Sequence, residues 1–396
     1  MDNTNILISG ASVAGPALAY WLRRHGFSPT VVERAPAVRS GGYPVDLRGV
    51  AVDVAERAGV YNEIRECRTG MRGMTFVDAA NRPLTSSDMN TFDGRGNRRD
   101  VEVPRGDVAR VLHAATRDDV EYVFGDSITG IDQRADGVRV TFERGEPRDF
   151  DLVIGADGLH SRVRSLAFGP EERFRRHLGY YVSIFTTENH LRLDHWTLLH
   201  NAPGRLAGIY SARDRTRANA ILGFASPEFR FDHRDPDQQR AVLRSAFAGI
   251  GWEVPRLLDA ADEAPDFYFD AVAQIHLDSW SRDRVALVGD AGYGPSPMSG
   301  QGTSLAVVGA YVLAGELKAA GGNHRIAFAR YEELLRDFVA RNQEIAGTGG
   351  KTLMPSSRAQ IWLRNQIMRL ASLAPRFSKV AEGIQKAANS LELPVY

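Results

Sequence analysis

A short apolar run, Ile6-Leu7-Ile8-Ser9, passes without a break into Gly10-Ala11-Ser12-Val13-Ala14-Gly15, and this junction limits the fold more than any other part of the chain. Pro16 to His25 then carries helical spacing, Gly26 stops it, Thr30-Val31-Val32 resumes the apolar run, and Glu33 closes it. Strand, glycine turn, helix and strand in this order form the opening unit of a parallel sheet. The first glycine permits a tight turn, a small residue at the middle position lets a pyrophosphate approach the backbone, and the last lets helix and strand pack closely. The helix start offers unpaired N–H groups and a positive dipole end to phosphates. Glu33 falls 23 residues after Gly10, near the spacing of about 20 at which an acid meets ribose hydroxyls. Ser12 stands where the strict pattern has glycine. Read alone, this stretch accommodates NAD or FAD equally.

A chain of 396 residues is long enough for two or three domains and a large core. Basic and acidic residues balance at 49 each, so no global field favours nucleic acid or an anionic membrane. The single cysteine, Cys67, excludes an intrachain disulfide and fits a reducing compartment. The N-terminus enters a strand directly, and no uncharged apolar run approaches the ~20 residues of a membrane span. These features predict a soluble, cytoplasmic protein that acts on a small molecule, as monomer or homodimer, without nucleic-acid or membrane partners.

Further along, helices are expected at Val50–Ala58, Val108–Thr116 and Asp235–Phe247, and a polar turn at Asp93 to Asn97. From Gly179 to Phe224 the pattern changes to strands rich in aromatic and β-branched residues, read as an antiparallel sheet in a second domain. An apolar helix is expected at Thr303–Leu317. Helical stretches at Ala327–Ile345 and from Ser357 onward are separated by Gly347 to Gly350. In the last stretch, Ile361, Leu363, Ile367, Met368 and Leu370 predict an amphipathic helix packed across the domains, with membrane or partner binding as the minor reading.

Two more buried strands end in a glycine and an acid. Asp151-Leu152-Val153-Ile154 runs into Gly155-Ala156-Asp157-Gly158-Leu159-His160-Ser161-Arg162-Val163-Arg164. Arg284 to Val288 runs into Gly289-Asp290-Ala291-Gly292-Tyr293, followed by Pro297 and Gly300-Gln301-Gly302. With these three motifs in this order, most of the chain resembles the class A flavin-dependent monooxygenases, the para-hydroxybenzoate hydroxylase-like family. The Gly41-Gly42 to Arg48 loop is similar to that of tetracycline-inactivating members.

The resemblance implies an α/β fold: a discontinuous Rossmann-like FAD-binding domain (1–73, 101–174, 273–350), an antiparallel-sheet substrate domain (74–100, 175–272) and a C-terminal helical segment (351–396). It implies that Gly10, Ser12 and Gly15 meet the FAD pyrophosphate, and Glu33, beside Arg34, the adenosine ribose. Asp157 supports flavin and nicotinamide binding, and Gly289-Asp290 meets the ribityl chain. Pro297, Gly300 and Gly302 line the flavin ring, with Arg48 and Arg105 as further contacts. One departure is plain: Gly292-Tyr293 replaces the family's Ala-His.

The implied activity is oxygen insertion, as hydroxylation or Baeyer-Villiger reaction, by NADPH or NADH, O2 and a flavin C4a-hydroperoxide. The substrate would be a bulky apolar or aromatic metabolite of polyketide-like, secondary-metabolic type. A flavin reductase or dehydrogenase of the same fold, and a non-redox FAD-holding scaffold or cyclase, are the alternatives. Phe185, Trp196, Tyr210 and Phe224 are candidate substrate contacts, each also readable as sheet core. His190, His195 and His200 alternate faces of a strand and predict no metal site.

Overall fold

The computed structural model describes residues 1–39, 42–88, 99–212, 214–373 and 379–396; the turn read at Asp93 to Asn97, and Gly41, lie outside them. The opening βαβ unit forms as the sequence predicts. Asn5–Ser9 and Ser28–Glu33 are parallel neighbours, joined by the Ala14–Arg24 helix. They sit inside a six-stranded sheet ordered Ser281–Arg282, Val285–Leu287, Leu152–Gly155, Asn5–Ser9, Ser28–Glu33, Glu121–Phe124. Every pairing is parallel except the first. Three strands that each end in a glycine motif are therefore adjacent and point the same way, so their motifs share one edge, the usual ligand edge of such sheets.

The second sheet has seven strands, ordered Tyr268–Ile275, Arg175–Glu188, Arg217–Ala225, Arg205–Ser211, Trp196–Ala202, Gly73–Val77, Pro83–Asp88. It is antiparallel apart from the junction of Trp196–Ala202 with Gly73–Val77, which is parallel. That junction brings a segment from the first hundred residues into a sheet otherwise built more than a hundred residues later.

The Gly302–Ala319 helix is buried from Thr303 to Leu317, which explains why it is apolar all round. The Pro236–Ala246 helix starts where its capping chemistry requires: Asp235 accepts from the N–H groups of Asp237 (3.1 Å) and Gln238 (3.0 Å), and proline fills the first position.

Two helical expectations are corrected. The chain does not break at Gly347 to Gly350; one helix runs from His324 to Leu353, thirty residues and about 45 Å long. Gly350 serves close packing, since a Cβ there would lie 2.3 Å from Cε2 of Tyr180. The helix stops instead at Met354, before Pro355. The Arg358–Leu373 helix also packs differently from its expected apolar stripe. Arg364 and Asn365 are buried, whereas Leu363, Ile367 and Leu370 are exposed.

Candidate active site

The three glycine motifs converge at the carboxyl edge of the six-stranded sheet, each held by backbone bonds to its neighbour. Gly10 N–H donates to the Val32 carbonyl (2.7 Å), Ala156 N–H to Ser9 (2.8 Å) and Val288 N–H to Gly155 (2.9 Å). The turn admits no side chains at its two glycines. A Cβ on Gly15 would lie 1.8 Å from the Gly10 carbonyl oxygen, and one on Gly10, at φ +109°, would lie 2.5 Å from that of Ala156. Ser12 between them is exposed, so its side chain points out of the turn without crowding it. No side chain caps the following helix and no acid stands in its first turn, which leaves its positive end open to an anion.

Glu33 braces this turn from the next strand. Its carboxylate accepts from Ala11 N–H (2.8 Å) and Ala35 N–H (2.9 Å), and each oxygen keeps a lone pair for a further donor. Arg34 beside it is exposed. Arg39, which sequence reasoning missed, is exposed at its surface, yet partial enclosure and the positive charges of Arg34 and Arg105 hold it below its usual pKa. Arg34, Arg39 and Arg105 are thus electrostatic neighbours. Arg105 also lies 5.6 Å over the Tyr43 ring.

Tyr43, Asp157 and Tyr268 are half-buried and Asp290 is exposed, yet enough protein surrounds all four to raise their pKa values. Groups enclosed but not covered are the walls of a cleft. Burial raises the Asp290 pKa, while Arg105 and Arg164 pull it down. Gly289, at φ +65°, lets the strand end pass between two helices, with Ala14 and Ala306 within 3.4 Å of a would-be Cβ. Pro297 and Gly300 are exposed and Gly302 half-buried, in a turn that opens the Gly302–Ala319 helix. Arg48 is buried against this turn, paired with Asp46 at 3.0 Å, and its N–H donates to Ser304 Oγ. Two surface depressions of about 670 and 600 Å3 lie elsewhere, around Arg325 and Arg336, and around Arg68 and His195; neither touches a glycine motif.

Asp157 turns out to shape its own loop. Burial raises its pKa, and its carboxylate accepts from Ser161 Oγ (2.5 Å) and from the N–H groups of Arg162 and Val163. Arg164, fully buried, ties this loop to the Asp290 loop by donating to the carbonyls of Leu159 (2.6 Å) and Ala291 (2.9 Å) and pairing with Glu171 (3.0 Å). His160 reaches Glu171 through Nδ1 (3.1 Å) and Asp270 through Nε2 (2.9 Å). Burial pulls the His160 pKa down, but its bonds to Asp270 and Glu171 outweigh this and raise it to about 9.

The Gly292-Tyr293 departure is absorbed by packing. Tyr293 is fully buried against Trp280, its hydroxyl is hydrogen-bonded to that of Tyr331 at 2.9 Å, and Tyr331 also donates to the Leu287 carbonyl. Gly309 makes the room, because a Cβ there would lie 2.0 Å from the Tyr293 oxygen.

Strand parity sorts the four aromatic candidates on the seven-stranded sheet. Register puts Trp196, Phe224 and Phe185 on one face. Phe185 and Phe224 pack there with Tyr181, Leu243, Phe247 and Leu257 in the core under two helices, and Trp196 donates to Thr75 Oγ1 (2.9 Å). Phe185 and Phe224 are therefore corrected to core positions, while Trp196 is half-buried on that same face. Tyr210 alone lies on the opposite face. With it are Met74, Ile184, Thr197, Ile221 and Tyr268, all half-buried in mid-sheet. Met298, beside Pro297, packs into the Phe76, Leu199 and Met354 cluster of this face. His190, His195 and His200 bond separately, to Glu253, Asp194 and the Val77 carbonyl.

Residues 3–340 match the family model described as FAD binding domain. An uncharacterized protein of Mycobacterium tuberculosis (strain ATCC 25618 / H37Rv) is 51% identical over 339 residues, 85% of this chain and 91% of that protein. A flavin-dependent monooxygenase of Legionella longbeachae serogroup 1 (strain NSW150) is 41% identical, covering 100% of this chain and 98% of its own. The crystal structure of tetracycline destructase Tet(55) superposes with a TM-score of 0.86 at 41% identity, over 100% of both chains. The cleft fits the dinucleotide such proteins hold: a side-chain-free turn, an uncapped helix start and three arginines suit a diphosphate, and Glu33 and Asp290 suit sugar hydroxyls.

Proposed function

We propose that this chain, which belongs to the FAD binding domain family and is a flavin-dependent monooxygenase, uses a nicotinamide donor and O2 to insert one oxygen atom into a bulky, largely apolar polycyclic substrate. The observation that carries the substrate class is the half-open apolar face of the seven-stranded sheet, opposite the Pro297 to Gly302 turn. Its half-buried residues Met74, Thr197, Ile221, Ile184 and Tyr268 come from five different strands, a spread that suits a multi-ring molecule better than a single ring.

In this reading Gly10, Ser12 and Gly15 bring backbone N–H groups to the FAD diphosphate, and Arg34, Arg39 and Arg105 balance its charge. Glu33 accepts from the adenosine ribose, and Asp290 from the ribityl hydroxyls. Bound FAD supplies hydride acceptance and oxygen activation. The protein's own part is to orient, to exclude water and to manage charge. The N–H groups that open the Gly302–Ala319 helix stabilise negative charge beside them. Arg48, paired with Asp46, braces that turn from behind. Arg164 fixes the Asp157 loop, over which the nicotinamide donor passes, against the loop that carries Asp290.

Tetracycline is the first probe, because a tetracycline destructase is 41% identical over the full chain. Anaerobic NADPH should bleach the flavin, O2 should restore it, and the product should gain one oxygen in mass. Bleaching without oxygen-dependent recovery would move the assignment to a reductase. No bleaching with either NADPH or NADH would leave only a non-redox role.

A further inference from the structure

We propose that the outward face of the Arg358–Leu373 helix is a peripheral docking surface for an anionic lipid bilayer. The helix is inside out for a protein in water. Trp362, Leu363, Ile367 and Leu370 are 63%, 53%, 57% and 66% exposed, while Arg364 and Asn365 are 9% and 6% exposed. Leu363, Ile367 and Leu370 follow i, i+4, i+7 spacing and form one stripe, with Trp362 at its edge. Of the seven exposed large apolar residues among the described ones, four are on this helix.

The helix cannot roll to hide the stripe, because its inner face is committed. Arg364 donates to the Thr352 carbonyl (3.2 Å) and to Asn365 Oδ1 (2.8 Å), and its guanidinium lies 3.8 Å over the Phe76 ring. Rotation would strand a buried cation and open the Phe76 cluster.

Charge selects the occupant. From Lys351 to Ala381 the sequence holds six Lys or Arg and no Asp or Glu, in a chain whose totals are equal. Arg364 among them faces inward; Arg358 and Arg369 are exposed at the helix surface, Arg369 with its Nε donating to the Leu84 carbonyl (2.7 Å). A second copy of this helix would set cations against cations, whereas an anionic surface complements them. An apolar stripe bordered by tryptophan and arginine is the pattern of a helix lying in a lipid interface. No helix of the described residues is long and apolar enough to cross a membrane, so the contact is shallow.

The test is co-sedimentation of the FAD-loaded protein with vesicles of phosphatidylcholine alone, or containing about one-third phosphatidylglycerol, at low salt. Partition into the anionic vesicles should be on the order of tenfold stronger, and 0.5 M salt, taken as roughly a 4 Å screening length, should abolish the difference. Leu363→Ser with Leu370→Ser should bring binding to background with unchanged flavin content and Tm, and Arg358→Gln should weaken only the anionic preference. Absence of binding to anionic vesicles, or equal binding by the double variant, overturns the proposal. So does a dimer in light scattering that the double variant dissociates, which would assign the face to self-association.

Discussion

Replacing Gly309 by alanine is a clean trial of how Tyr293 is accommodated. In an ordinary helix interior this change stabilises by about 1 kcal/mol. Here the added Cβ would sit 2.0 Å from the Tyr293 oxygen, with Cζ next at 3.2 Å and Val288 Cγ2 at 3.3 Å. Tyr293 has no free direction to move, being fully buried against Trp280. Overpacking costs about 1–3 kcal/mol, and displacing the hydroxyl from Tyr331 forfeits about 1 kcal/mol more. Gly309→Ala should therefore destabilise by about 2 kcal/mol net. Tyr293→Phe alone should cost about 1 kcal/mol, because Tyr331 keeps its bond to Leu287. In the double variant the clashing atom is gone and the alanine gain returns, so stability should come back near that of the parent. Independent effects would instead leave it about 3 kcal/mol below. Urea unfolding of all four proteins, at saturating FAD and without it, measures the cycle. A double variant as unstable as the sum would refute the packing argument.

Other outcomes follow from the same geometry. Gly350→Ala should cost about 1–3 kcal/mol through collision with Tyr180, and Tyr180→Leu should recover most of that loss in thermal melts. Asp290→Ala should weaken FAD binding by about tenfold, the worth of one charge-assisted hydrogen bond; unchanged affinity in a fluorescence titration would remove Asp290 from the site. His160 is held protonated by Glu171 and Asp270, with its pKa raised to about 9. Its stabilising contribution should be complete below pH 6.5 and disappear as pH rises to about 9. Unfolding free energy should fall across that window in the parent chain and less steeply in His160→Gln.

The parts of this molecule legible in the sequence are those with local signatures. Three strands ending in glycine and acid announce a shared edge, because parallel neighbours must place equivalent ends together. A capping aspartate followed by proline marks a helix start wherever it occurs. What stayed hidden depends on non-local contact. Alternation along Arg175–Glu188 separates two faces but does not say which is covered, so Phe185 and Phe224 could be offered as substrate contacts until helices were found packed on them. Arg39 and Tyr43 carry no motif, and their place at the cleft follows from a loop whose path is set by distant strands. Gly347 to Gly350 reads as a helix break because glycine's cost is local, whereas its benefit, close approach to Tyr180, lies some 170 residues away. The exposed stripe of the Arg358–Leu373 helix has the same origin, since periodicity reveals an apolar face and not the direction it looks.

The seven-stranded sheet also bears on how such a protein can diversify. One face is locked into a core of Tyr181, Phe185, Leu222, Phe224 and Phe269, while the other leaves Met74, Ile184, Ile221 and Tyr268 half-buried. Because neighbours along a strand point opposite ways, mutations at alternate positions fall under different selection: one set is held by folding, and the other, under the function proposed above, answers mainly to the substrate. A lineage can thus exchange Ile184 or Ile221 and leave Phe185 and Leu222 untouched, altering what is oxidised while inheriting the scaffold intact.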